Sequence, residues 1–131
     1  MPEINLHVDG PHSPERTKEI ADLLAECVRF LNYASMSGNG LTDPADVYHV
    51  LGALYTGTQR FPQLSRQLTA LLAVQKDSGS LADNEGRDVG SQVAMAGYHL
   101  GEAHAHAGDL TTALQNAQQA ISGLYAKDHD V

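Results

Sequence analysis

Twice in the first third of the chain a capping side chain is followed at once by proline, at Ser13-Pro14-Glu15 and at Asp43-Pro44. A Ser or Asp oxygen takes a free N–H of a first helical turn, and proline sits there at no cost because its missing N–H is not needed. Glu15 adds a negative charge at the positive end of the helix dipole. Both pairs therefore start helices. A chain punctuated in this way is built from helices.

The apolar spacing agrees. Ile20, Leu23, Leu24, Cys27, Val28 and Leu31 recur at helical intervals, so the first helix runs from Ser13-Pro14 to about residue 36. The stretch SGNGLTDP, residues 37–44, links it to the next; without a Lys-Ser/Thr pair or a preceding strand it is a connector and not a phosphate loop. A second helix carries Val47, Val50, Leu51 and Leu54 inward and stops near Arg60, before Pro62. A third buries Leu64, Leu68, Leu71 and Leu72 and stops near Lys76.

DSGSLADNEG, residues 77–86, reads as a solvated loop whose acids do not have EF-hand spacing. A fourth helix is expected from about Arg87 to Ala107, with Val89, Val93, Ala96, Leu100, Ala103 and Ala107 inward. Gly108-Asp109 closes it. A fifth, with Leu110, Leu114, Ala117, Ile121 and Leu124 inward, runs to about Ala126. The expected fold is all-α: one domain over residues 1–131, an antiparallel bundle of about five helices built from hairpins. Residues 1–12 form an extended lead-in and residues 127–131 a frayed tail.

At 131 residues, 42% of them apolar but only 5% aromatic, the core is made of Leu, Val, Ile and Ala, which suits close helix packing. The net charge of −8, with basic residues scattered, argues against nucleic-acid and anionic-membrane partners. Cys27 is the single cysteine and cannot form an intrachain disulfide; on its apolar stripe it reads as a buried, inert thiol. The N-terminus lacks the basic-then-apolar run of a signal peptide, and a cytoplasmic location is expected. The Ala- and Gly-rich composition, with Arg preferred to Lys, fits a GC-rich bacterial genome.

Leu100-Gly101, Gly108-Asp109-Leu110, Ala113-Leu114 and Ala120-Ile121 place small residues where two helices of a hairpin would cross. Residues 94–126 thereby resemble a tetratricopeptide repeat. They depart from it at His104 and Ala117, where large residues are usual, and in lacking a closing proline. An earlier stretch echoes the pattern: Leu51-Gly52, Phe61, Leu64, Leu68 and Leu71 match Leu100-Gly101, Leu110, Ala113, Ala117 and Ala120 at one constant offset. The resemblance implies peptide or protein binding on a groove face of the first helix of the hairpin, at Met95, Tyr98, Glu102 and His106.

His99, Glu102 and His106, spaced three and four apart, share one side of a helix and are the candidate metal ligands, with His49 a conceivable further donor. No HExxH motif accompanies them. The paired Glu-x-x-His units of a di-iron site are missing too, and no Gly-x-Ser-x-Gly elbow occurs. The sequence therefore points to a non-catalytic helical interaction or regulatory protein with no cofactor. Its partners would be a protein or peptide, or further copies of itself. The alternative is a metal-binding or small-molecule enzyme that uses the His99/Glu102/His106 face. A third reading, a small helical protein exported without a signal peptide, lacks the expected Trp-x-Gly turn, since the chain has no Trp.

Overall fold

The structure, a computed structural model, describes residues 6–127, and among these there are four α-helices and no strand. They are α1 (Pro14–Met36), α2 (Pro44–Gln59), α3 (Phe61–Asp77) and α4 (Val89–Ala120). The chain divides into two compact units, Met1–Thr42 and Asp43–Val131. No described helix is long and apolar enough to cross a membrane.

The first unit holds α1. Ser13 caps it, its hydroxyl accepting the Arg16 N–H at 3.0 Å, and Pro14 opens the first turn. The end falls at Met36, where Ser37 N–H donates to the Tyr33 carbonyl at 3.1 Å. Cys27 does not lie in a core: it is exposed, as are Ile20, Leu24, Val28 and Leu31 beside it. Only Leu23 of the expected apolar stripe is half-buried. Residues 6–12 contain a turn at Val8-Asp9 and are not a continuous extended lead-in. The first residues of that lead-in, and residues 128–131 of the expected frayed tail, lie outside the described residues.

The second unit holds the other three helices. Asp43 caps α2 through a capping box: its carboxylate accepts Ala45 N–H at 3.0 Å while its own N–H donates to Asp46 at 3.1 Å. α2 and α3 follow each other almost without a gap. Arg60 keeps near-helical angles between them (φ −90°, ψ −12°), and Pro62, which cannot supply an N–H, explains the interruption. Both pack against α4 and scarcely touch each other side by side. The unit is therefore a long antiparallel hairpin, with the interrupted helix 44–77 on one side and α4 on the other.

The connection between them is ordered. Gly79 takes a left-handed φ of +74°, which favours glycine, and its N–H closes the end of α3 on the Lys76 carbonyl at 3.0 Å. Asp83 then organises the loop. Its carboxylate accepts the N–H groups of Glu85 (2.9 Å) and Arg87 (3.0 Å) and two donors of the Arg87 guanidinium (3.0 and 3.1 Å). These donors hold the Asp83 carboxyl well below the usual carboxylate range. Asp88 caps α4, accepting from the backbone and hydroxyl of Ser91.

The fourth and fifth expected helices are one. α4 runs 32 residues, about 48 Å, straight through Gly108-Asp109. Gly108 is not among the positive-φ glycines, so it does not act as a left-handed helix stop. The tetratricopeptide-like hairpin in 94–126 is accordingly absent. Gly101 and Ala113, which were to face each other across a crossing, lie on one helix about 18 Å apart. A glycine inside a helix costs about 1 kcal/mol. Continued packing on α2 offsets that, because the residues turned toward α2 keep their phase on both sides of Gly108.

Candidate interaction face

Two sets of positions, each with a seven-residue repeat, run along the hairpin. On 44–77 the inner set is Tyr48, Leu51, Tyr55, Thr58, Pro62, Ser65, Thr69 and Leu72; all but Tyr48 are half-buried or buried. On α4 it is Val93, Gly97, Leu100, His104, Ala107, Thr111, Leu114, Gln118 and Ile121, every one half-buried or buried. Alternating steps of three and four keep such a line facing one neighbour. The line crosses Pro62 without a slip, so α2 and α3 act as one packing element.

Leu51, Tyr55, Leu72, Val93, Leu100 and Leu114 share the inner line with small and hydroxyl side chains, which make its middle contacts. Thr58 (8% exposed) and Ala107 (7%) are the buried residues among those described. Thr58 hydroxyl donates to the Leu54 carbonyl at 2.9 Å. The Thr111 hydroxyl stands 2.9 Å from it and 2.7 Å from the Ala107 carbonyl, with one proton to give. At the far end Gln118 donates its amide to the Tyr48 carbonyl at 3.2 Å, over Gly52. A Cβ on Gly52 would come within 2.6 Å of that amide nitrogen. At the loop end a Cβ on Gly97 would sit 3.4 Å from the Thr69 methyl. Gly52 leaves room for the Gln118 amide, and Gly97 lets the Thr69 methyl lie against the α4 backbone.

On α3 the larger apolar residues lie one position earlier. Val47, Val50, Leu54, Gly57, Phe61, Leu64, Leu68 and Leu71 form the outer set on 44–77. Exposure rises from 37% at Phe61 to 53% at Leu71, so α3 turns its leucines out and its Ser65 and Thr69 in. This reverses the expected burial of Leu64, Leu68 and Leu71; only Leu72 of that group faces α4. The outer set on α4 is Ala96, His99, Ala103, His106, Leu110, Ala113, Ala117 and Ala120. It too precedes the inner set by one residue.

In an antiparallel pair, the same rotation on both helices, about 100° for one residue, leads to the same side of the pair. The two outer sets therefore form one face. The opposite rotation is visible in the groove on the other side, where Arg66, Ala70 and Ala73 of α3 meet Gly101 and His104 of α4. No Asp, Glu, Lys or Arg occupies an outer-set position, although 18% of the chain is charged. The result is an uncharged face, bulky on 44–77 and mostly alanine on α4. The earlier echo between the two stretches has its origin here. Its offset of 49 residues is seven heptads, and it aligns one outer set with the other.

The expected groove residues Met95, Tyr98, Glu102 and His106 do share a strip of α4, and all are exposed. Met95, Tyr98 and Glu102 form a ridge turned away from α2 and α3, since no second helix of a repeat stands beside it, while His106 also belongs to the outer set. Of the candidate metal ligands, His99 Nδ1 and Glu102 Oε1 are 2.6 Å apart in an exposed hydrogen bond, and the His99 ring meets Tyr98 edge-on at 5.3 Å. His106 and His49 do not join them: no group of three His, Cys, Asp or Glu side chains among the described residues is placed to hold a metal ion. His49 lies on α2 in a groove with Tyr48 and Arg60. The outer face itself was missed from sequence, although its seven-residue spacing was there to find it.

No protein-family model, curated protein or solved structure matches this chain.

Proposed function

We propose that this protein is a non-catalytic interaction protein whose hairpin docks a helical protein surface across its uncharged outer face. One observation carries the reading: α3 turns Ser65 and Thr69 toward α4 and leaves its most apolar heptad line, Phe61 to Leu71, outside. A line of large apolar residues in contact with water is unfavourable, by about 25 cal/mol for each Å² of apolar surface. Contiguous apolar patches of this kind mark interaction sites. Helices are the fitting partner because knobs spaced by three and four enter the holes of another helix. The antiparallel bundle expected from sequence is then completed by the partner's helices.

Hydroxyl-radical labelling inside cells that make the protein tests this. Phe61, Leu64 and Leu68 should be labelled several-fold less in the cell than in the purified chain diluted to nanomolar concentration. Arg66 and Tyr98, on other faces, should be labelled alike in both. Equal labelling of Phe61, Leu64 and Leu68 in both settings contradicts the reading.

A further inference from the structure

The occupant of the outer face can be named, on the footing of the docking reading above: we infer that it is a second copy of this chain, set face to face about a two-fold axis. Three features of the face select it.

The first is shape. One flank carries bulky residues such as Phe61, Leu64 and Leu68, and the other is mostly alanine, such as Ala103 and Ala117. A two-fold axis lying between the two faces and parallel to the helices places the bulky flank of each copy over the alanine flank of the other. A single surface then supplies both the knobs and the space for them, which is what an isologous contact requires. Two bulky flanks facing each other would hold the helices apart, whereas alanine lets them close.

The second is charge. Two chains of net charge −8 repel each other unless they meet where that charge is absent. The outer face has no Asp, Glu, Lys or Arg along its length; its ionisable groups are His99 and His106, and of the α4 acids Asp109 falls outside it while Glu102 reaches its margin through His99. A strongly basic partner would find a single carboxylate at its margin, Glu102, already bonded to His99. A second copy needs none.

The third is area. Two helices, each about 10 Å across and carrying the face over about 37 Å, present roughly 750 Å². Stable pairs of proteins cover about 600–1,000 Å² on each partner. The face is therefore large enough for a dimer without any contribution from elsewhere, and its length is shared by both copies.

Sedimentation velocity of the full chain, from nanomolar to tens of micromolar, tests the inference. It predicts a shift from a 14.0 kDa species to one of twice that mass, and a melting temperature that rises with concentration. Leu64→Glu with Leu68→Glu puts four acids into the paired face and should weaken dimerisation on the order of a hundredfold or more, with helicity by circular dichroism retained. Arg66→Glu, on the opposite side of α3, should dimerise like the parent. If the double variant does not fold, the concentration dependence of the parent still decides. A parent chain that stays monomeric throughout overturns the inference. If the outer face is nevertheless protected in the cell, the docking reading stands with a different protein as occupant. If it is labelled there as freely as in dilute solution, both fall.

Discussion

Gly108→Ala changes stability in opposite directions according to whether residues 89–120 are one helix or two. In the structure Gly108 is the twentieth residue of α4, has no positive φ, and has nothing within 4 Å of where a Cβ would stand. Alanine there keeps every contact, restricts the unfolded chain, and gains helix propensity of about 0.8–1.0 kcal/mol. Were Gly108-Asp109 a turn between helices, Gly108 would hold a left-handed conformation, and alanine would cost about 1 kcal/mol or more. Urea melts of parent and variant at one fixed protein concentration separate the two. An increase of about 0.5–1 kcal/mol with unchanged m-value is expected, together with a rise of several degrees in melting temperature. Gly108→Pro is the counterpart, expected to lose about 3 kcal/mol by removing one helical hydrogen bond and crowding His104. A destabilising alanine, or a proline tolerated without loss, refutes the continuous helix.

Thr58→Val and Thr111→Val should each cost about 0.5–1.5 kcal/mol, and the double variant less than their sum by at least about 0.5 kcal/mol. Urea melts of the four proteins measure this, and strict additivity would mean that the two hydroxyls do not meet across the hairpin. Asp83 gives the stability a pH dependence of known sign. Its folded carboxyl titrates below its unfolded value, so its contribution is complete above the usual carboxylate range and disappears as pH falls through the lower folded value. Thermal melts between about pH 5 and pH 2 should therefore show a shallower loss in Asp83→Asn than in the parent. Equal acid limbs would detach Asp83 from the loop's stability.

Helix starts were legible because they rest on local chemistry. Ser13-Pro14 and Asp43-Pro44 place caps whose hydrogen bonds involve only the next three residues, and Pro62 interrupts a helix wherever it lies. The end of a helix at Gly108-Asp109 was a different kind of inference. Glycine permits a stop but does not impose one, and the packing of Leu100, His104, Ala107, Thr111 and Leu114 on the opposing helix decides. The orientation of α3 was not legible either. Two heptad lines run side by side there, and the more apolar one is the natural choice for the core. The chain places Ser65 and Thr69 inside instead, with the Thr69 methyl lying against Gly97 of α4.

Candidate-site residues follow the same division. The spacing of His99 and Glu102 foretold that they share a helix face, and they do form a hydrogen bond. His106, one turn beyond Glu102, needed a further element bending back to gather a site, and the straight α4 provides none. Met95, Tyr98, Glu102 and His106 likewise share a strip as their spacing requires. Whether a strip is a groove or a ridge depends on what stands beside it, and that is a property of the whole hairpin. His104, by contrast, is half-buried on the inner line of α4 against α3.

All that is said of the outer face depends on residues 89–120 being a single helix laid along residues 44–77. The distance between Tyr98 and Gln119 tests this most directly. Both are exposed, and spin labels at these two positions in a Cys27→Ser background, diluted with unlabelled chain, report the distance within one copy. A continuous helix separates their Cα atoms by 21 residues, or about 32 Å. Helices folded back at Gly108-Asp109 would bring them to about 10 Å, the spacing of two packed helix axes. A dipolar distance distribution centred near 30 Å is the predicted result; one centred near 10 Å would contradict the account.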